Sequence, residues 1–156
     1  MQKITPFLWF DGEAEEAANF YVSVFKNSKI LNLTRLPSGP SEGKAIVSFE
    51  IEGQKFTALD GGPHFQINPA ISFVVDCKTQ DEVDYFWDRL CEGGQPVQCG
   101  WLTDKYGVSW QIVPSVLPEL ISSDDQEKSA RVMNAMMEMI KLDISALEAA
   151  AAAPSK

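Results

Sequence analysis

One order of elements occurs twice in this chain, and that repetition restricts the fold more than any single motif. Residues 7–10, FLWF, are a short apolar run closed by Asp11-Gly12, the pattern of a strand leaving through a turn. Over residues 13–25 the apolar period changes to that of a helix, with Ala17, Phe20, Tyr21, Val24 and Phe25 on one face. Glu13, Glu15 and Glu16 fall in its first turn, where negative charge suits the helix dipole. Residues 29–36, 45–51 and 55–59 then read as strands, the last two a hairpin turning at Glu52-Gly53. The Pro/Gly/Ser cluster at residues 37–43 reads as a mobile loop.

After Asp60-Gly61-Gly62-Pro63 the order begins again. Residues 70–75 form a strand and residues 81–91 a helix, with Val83, Phe86, Trp87 and Leu90 facing one way and Gly93-Gly94 past its end. Residues 95–102 supply one strand or two, and residues 109–113 a last one. In pattern, Glu15, Glu16, Ala17, Phe20 and Tyr21 are matched by Asp81, Glu82, Val83, Phe86 and Trp87. Gly53 before Lys55-Phe56-Thr57 is matched by Gly107 before Ser109-Trp110-Gln111. The expectation is an α+β fold of tandem β-α-β-β-β modules, residues 1–64 and 65–118, followed by a C-terminal helical tail, residues 119–156, in one structural domain. Within that tail, residues 124–153 carry Val132, Met133, Met136, Met137, Ile140, Ile144 and Leu147 at helical spacing, broken near Leu142-Asp143. Methionine's adaptability suits a helix lying on a second subunit, and this points to a homodimer.

Composition bounds the partners. With 156 residues and 45% hydrophobic content the chain can bury its own core. Cys77, Cys91 and Cys99 form no CxxC pair and leave one over, which reads as reduced, buried thiols rather than a disulfide frame. A net charge of −9 with scattered basic residues excludes nucleic acid as the expected partner. No basic-then-apolar leader opens the sequence and no stretch is long enough to cross a bilayer, so no membrane partner and a cytoplasmic location are expected.

The repeat, together with FLWFDGEAEEAANFYVSVF, LDGGPHF, NPAISFVVDCKTQDEVDYFWDRL and CGWLTDKYGVSWQIVP, resembles the PhnB-like branch of the vicinal oxygen chelate superfamily. That superfamily includes glyoxalase, bleomycin-resistance proteins and extradiol dioxygenases. The resemblance implies modules whose sheets curl around a cleft, completed in a homodimer, and in catalytic members a divalent metal held there by His, Glu or Gln. The metal positions it implies fall on Thr5, Thr57, Ala70 and Gln111, which offer one amide, two hydroxyls and a methyl. That set is poor in the imidazoles and carboxylates a divalent ion needs, and no metal is expected. Members of the branch also carry the label 3-demethylubiquinone 3-methyltransferase. No GxGxG follows any strand here to cradle a methyl-donor cofactor, and no cofactor is expected.

Strand alternation assigns faces. If Leu8, Phe10, Ile71, Phe73, Val75, Trp110 and Ile112 pack under the helices, the other face holds Thr5, Phe7, Trp9, Ala70, Ser72, Val74, Ser109, Gln111 and Val113, joined through the repeat by Thr57 and Leu59. The expected ligand site is therefore neutral and aromatic: Phe7, Trp9 and Trp101 to stack on a flat molecule, Thr57, Ser72 and Gln111 to orient it, and Asp60 beside it. Asp60 and His64 are the catalytic candidates, as base and orienter or as ligands of an incomplete site. The competing reading is a turn in which Asp60 binds backbone N–H groups and His64 faces solvent. Cys99 has no histidine near it in sequence to act as a base.

Two functions follow. The first is a small-molecule-binding protein with an aromatic, metal-free cleft, in the manner of bleomycin resistance. The second is an enzyme with an atypical metal or acid-base site around Asp60, His64 and Gln111. A third reading makes the Met-rich tail an interaction module.

Overall fold

The computed structural model describes residues 2–40 and 42–154. Ser41, within the cluster expected to form a mobile loop, lies outside the described residues, as do Met1, Ser155 and Lys156. The chain divides into two compact units, Met1–Asn68 and Pro69–Lys156.

In the first unit, β1 (Phe7–Phe10), α1 (Ala14–Val24), β2 (Lys29–Arg35), β3 (Ala45–Ile51) and β4 (Gln54–Asp60) follow one another. The sheet order is β1-β4-β3-β2, with β1 parallel to β4 and the other pairs antiparallel. β3 alternates fully buried with half-buried residues, so one face packs and the other stays open. Ala45, Val47, Phe49 and Ile51 lie on the packed face with Phe56 and Ala58 of β4. α1 covers that face with Ala14, Ala17, Ala18, Tyr21 and Val24. Tyr21 stacks on Phe49 at 6.2 Å and Phe49 on Phe56 at 5.5 Å. Each such side chain contributes about 1.5–3 kcal/mol by leaving water. The β3–β4 turn at Glu52-Gly53 has φ of 49° and 82°, the positive pair that a two-residue hairpin requires.

The second unit repeats the plan with β5 (Ser72–Cys77), α2 (Gln80–Cys91), β6 (Gln95–Pro96), β7 (Trp101–Thr103) and β8 (Ser109–Pro114). Its order, β5-β8-β7-β6, is that of the first sheet, again with the first strand parallel to the last. Residues 95–102 thus supply two strands, separated by a turn in which Cys99 and Gly100 take φ of 60° and 84°. α2 begins at Thr79, whose hydroxyl accepts from the Glu82 N–H. Its buried face is Val83, Trp87 and Leu90.

Three helices complete this unit: α3 (Val116–Ile121), α4 (Gln126–Met137) and α5 (Ile144–Ala152). Asp125 and Asp143 cap the last two by accepting from the Lys128 and Ala146 N–H groups. Leu117, Val132, Leu142 and Leu147 form their shared core, with Met136 and Met139 packed against it. The segment between α4 and α5 is sewn to the β6–β7 turn. Cys99 and Gly100 donate to the carbonyls of Met139 and Ile140, both at 2.8 Å. Gln80 donates to the Leu142 carbonyl and accepts from the Ile144 N–H. Lys141 pairs with Asp84 at 2.8 Å; that hydrogen bond, aided by Gln80, lowers the Asp84 carboxyl and raises the Lys141 ammonium.

The α+β tandem architecture is as expected. Ile71 is not under a helix but exposed ahead of β5, because the strand begins one residue later. Of the cysteines, all free, only Cys77 is fully buried. No helix among the described residues is long and apolar enough to cross a membrane.

Candidate functional site

Register places the aromatic candidates of the first unit side by side. Residues paired directly across strands share a face, so Phe7, Thr57 and Ser48 form one row and Trp9, Leu59 and Ile46 the next. This is the face opposite α1, and Phe7 on it is 58% exposed.

The loop after β4 folds against Trp9. Its indole N–H donates to the Gly62 carbonyl at 2.9 Å, and Phe65 meets the ring edge-on at 5.0 Å. Gly61 lies so close to the indole that a Cβ there would overlap the ring. Glycine at this position is what lets the loop reach the aromatic face. His64 stands exposed in the same loop.

Asp60 does not join this face. Its Oδ1 accepts from the Ala14 N–H at 2.7 Å, so the buried carboxylate satisfies the N-terminus of α1 from the end of β4. The expectation of a base or ligand at Asp60 and the expectation of a backbone-binding turn residue are thus separated by geometry. The carboxylate is held on a backbone N–H, across 46 residues of sequence.

In the second unit, Gln111 lies between Val74 of β5 and Trp101 of β7 in register. Its Nε2 donates to Ser72 Oγ at 2.9 Å. Trp101, Ser72 and Gln111 are half-buried and Val74 is 60% exposed, which makes this the open face of the second sheet. The parallel ladders align Phe7 with Thr57 and Val74 with Gln111. Ser72 is therefore the counterpart of Thr5, while Ala70 lies two positions further out, in a turn. Ser109, assigned by alternation to the same face, is buried instead, and its Oγ has no hydrogen-bond partner among the described residues. Its short side chain is flanked in register by Ser72 and Thr103.

Sequence reasoning passed over Asp104. It is buried in the turn joining β7 to β8, where Oδ1 accepts from the N–H groups of Tyr106 and Val108 at 2.8 and 3.1 Å and Oδ2 from the Trp110 indole at 2.8 Å. The signal was present as an Asp ahead of a Tyr-Gly turn and a Trp, the setting of an Asx-type turn. Asp104 fixes the strand that presents Gln111.

The donor set does not fit a divalent metal. Thr57 in the first unit offers one hydroxyl, and Ser72 and Gln111 in the second offer a hydroxyl and an amide whose nitrogen already serves Ser72. Among the described residues no group of three His, Cys, Asp or Glu side chains is placed to hold an ion. Burial, with Glu82 and Asp76 nearby, pushes the Cys77 thiol up to about 12, which disfavours the nucleophilic thiolate.

Residues 2–113 match the family described as 3-demethylubiquinone-9 3-methyltransferase. The chain belongs to this family. A PhnB protein from Bacillus cereus carrying the same description is 40% identical, with 72% of this chain and 99% of that one covered and a TM-score of 0.67. A Pseudomonas aeruginosa protein is similar at 20% identity and a TM-score of 0.63, over 73% of this chain and 98% of its own. The fosfomycin resistance protein FosX of Listeria monocytogenes, solved with Mn(II) and sulfate, is 15% identical with a TM-score of 0.53, over 70% of this chain and 90% of that one. At these last identities the likeness is one of fold. No curated protein sequence matches the chain. The PhnB-like membership expected from the motifs is thereby established.

The family's description names methyl-donor chemistry. A nucleotide-type cofactor of the glycine-loop kind rests on the free N-terminus of the helix after a strand. At the helix after β1 the Ala14 N–H is bonded by Asp60, and at the helix after β5 the Glu82 N–H is bonded by Thr79.

Proposed function

We propose that this member of the PhnB-like family binds a small, flat, largely apolar molecule without a metal, as a homodimer in the cytoplasm. The observation that carries the reading is the Ser72–Gln111 pair, set on an open sheet face beside Trp101. An amide held by a hydroxyl is pre-oriented, and its carbonyl end is the group to hydrogen-bond a ligand. Phe7 and Trp9 give the open face of the first sheet an aromatic surface of its own. The engagement of Asp60 at α1 favours binding over acid-base chemistry, since it removes the best-placed carboxylate from the reaction. Met133, Met137 and Ile140, exposed on and just after α4, support the dimer.

A thermal-shift screen of aromatic metabolites and of divalent metals, each with and without chelator, tests the reading. A ligand at a hundred times its Kd stabilises by about 2.7 kcal/mol, a rise of roughly 5–11 °C for a chain of this size. Gln111→Leu lowers that response with little change in the unliganded melting temperature. A divalent metal that co-purifies at one per chain and stabilises the protein until chelated overturns it.

A further inference from the structure

At one end of the first sheet's open face the loop after β4 brings together two groups that the binding reading has left unused. Lys44 precedes Ile46 by two positions and so continues the Trp9–Leu59–Ile46 side of the sheet. Its backbone is still tied to the neighbouring chain, with the Leu36 N–H donating to the Lys44 carbonyl at 2.9 Å. A methyl group on Gly62 would stand 3.3 Å from Lys44 Nζ and 3.7 and 3.9 Å from Cδ2 and Nε2 of His64. Ammonium and imidazole therefore converge on one point. That point adjoins the residue whose carbonyl holds the Trp9 indole.

Charge makes the convergence informative. In a chain of net charge −9, the ion pairs found among the described residues join Arg35 to Glu15 and Lys141 to Asp84, so no carboxylate competes for the half-buried Lys44 ammonium. The carboxylate of Asp60, which leads into the loop, is held on Ala14. A half-buried cation beside an imidazole and an aromatic floor is a setting for an anion attached to a ring.

We propose that Lys44 and His64 form an anion subsite at the rim of the aromatic face, so that the ligand is a flat aromatic molecule bearing a carboxylate. The assignment rests on the aromatic-binding reading and narrows it. The carboxylate accepts from Lys44 Nζ and from a ring N–H of His64, while the ring lies against Trp9 and Phe65.

The test is calorimetric titration with aromatic carboxylates of one, two and three rings, each beside its neutral carboxamide. The wild-type protein binds the best-fitting carboxylate about tenfold more tightly than its carboxamide, the size of one partly exposed charge-assisted hydrogen bond. Lys44→Met brings the two affinities together, with near-ultraviolet dichroism of Trp9 showing that the face is intact, and Lys44→Arg restores the preference. Equal affinity for both members of a pair in the wild-type protein overturns the anion subsite and leaves the aromatic reading standing. Failure of every ring compound to bind overturns both.

Discussion

Replacing Asp104 by alanine removes the acceptor of three hydrogen bonds at once, from the Tyr106 and Val108 N–H groups and the Trp110 indole. Asp104 and Trp110 are buried, at 3% and 4% exposure, so the abandoned donors do not all regain water. A buried donor left without a partner costs about 1–3 kcal/mol. Lys105, between them in sequence, is exposed, so the turn can relax enough to hydrate part of its backbone. The net loss is then about 3 kcal/mol, or roughly 6–12 °C in melting temperature for a chain of this length. Asp104→Asn retains one acceptor oxygen but sets an amide N–H against another donor, and is expected to lose about 2 kcal/mol. Urea unfolding followed by circular dichroism gives the free energies, and near-ultraviolet dichroism reports the packing of Trp110. A loss below about 1 kcal/mol for the alanine variant would refute the account of this turn. Since β8 carries Gln111, the same variant should also weaken ligand binding.

Three further outcomes follow from the geometry. Asp60→Asn gives up the charged acceptor at the α1 N-terminus and is expected to cost about 1–2 kcal/mol in thermal unfolding while ligand affinity stays within about twofold; lost binding with unchanged stability would return Asp60 to the site. Gly61→Ala drives a methyl group into the Trp9 indole, for about 1–3 kcal/mol of strain, and should shift tryptophan fluorescence and blunt the thermal response to aromatic ligands. The native Cys77 thiol, raised from 9.0 to about 12, keeps its proton where the unfolded chain has lost it. Its contribution to stability is therefore complete below pH 9.0 and falls as pH climbs toward 12. Iodoacetamide at mildly alkaline pH should label Cys77 only through unfolding, and rapid native labelling seen by mass spectrometry would contradict this.

What the residues disclosed on their own depended on how local the physics was. AIVSFEI alternates so regularly that β3 could be bounded to the residue. Alternation also put Ser72 and Gln111 on one face before any coordinates, and the two share a hydrogen bond. The split of residues 95–102 into β6 and β7 was ambiguous because it turns on Cys99 at positive φ, a conformation a cysteine does not advertise. α3 was hidden by Pro118, which reads as a breaker yet sits in the first turn, where a missing N–H costs nothing. The role of Asp60 depends on a partner far away in sequence, and no spacing rule reaches that distance. Lys44 and His64 both approach Gly62, whose φ of 92° no spacing in the sequence discloses.

The stitching of residues 139–144 to the β6–β7 turn and to Gln80 bears on how the tail can be studied. Removing everything after Asp124 would strip Leu142 from its seat against Gly100, leave the Cys99 and Gly100 N–H groups and the Gln80 amide oxygen unanswered, and leave the Gln80 amide nitrogen only Asp84. Such a truncation would loosen the very turn that leads into Trp101. A dimer lost on truncation would then say nothing about where two chains touch. Exchanging Met133, Met137 and Ile140 for polar residues asks the same question with the clasp left shut.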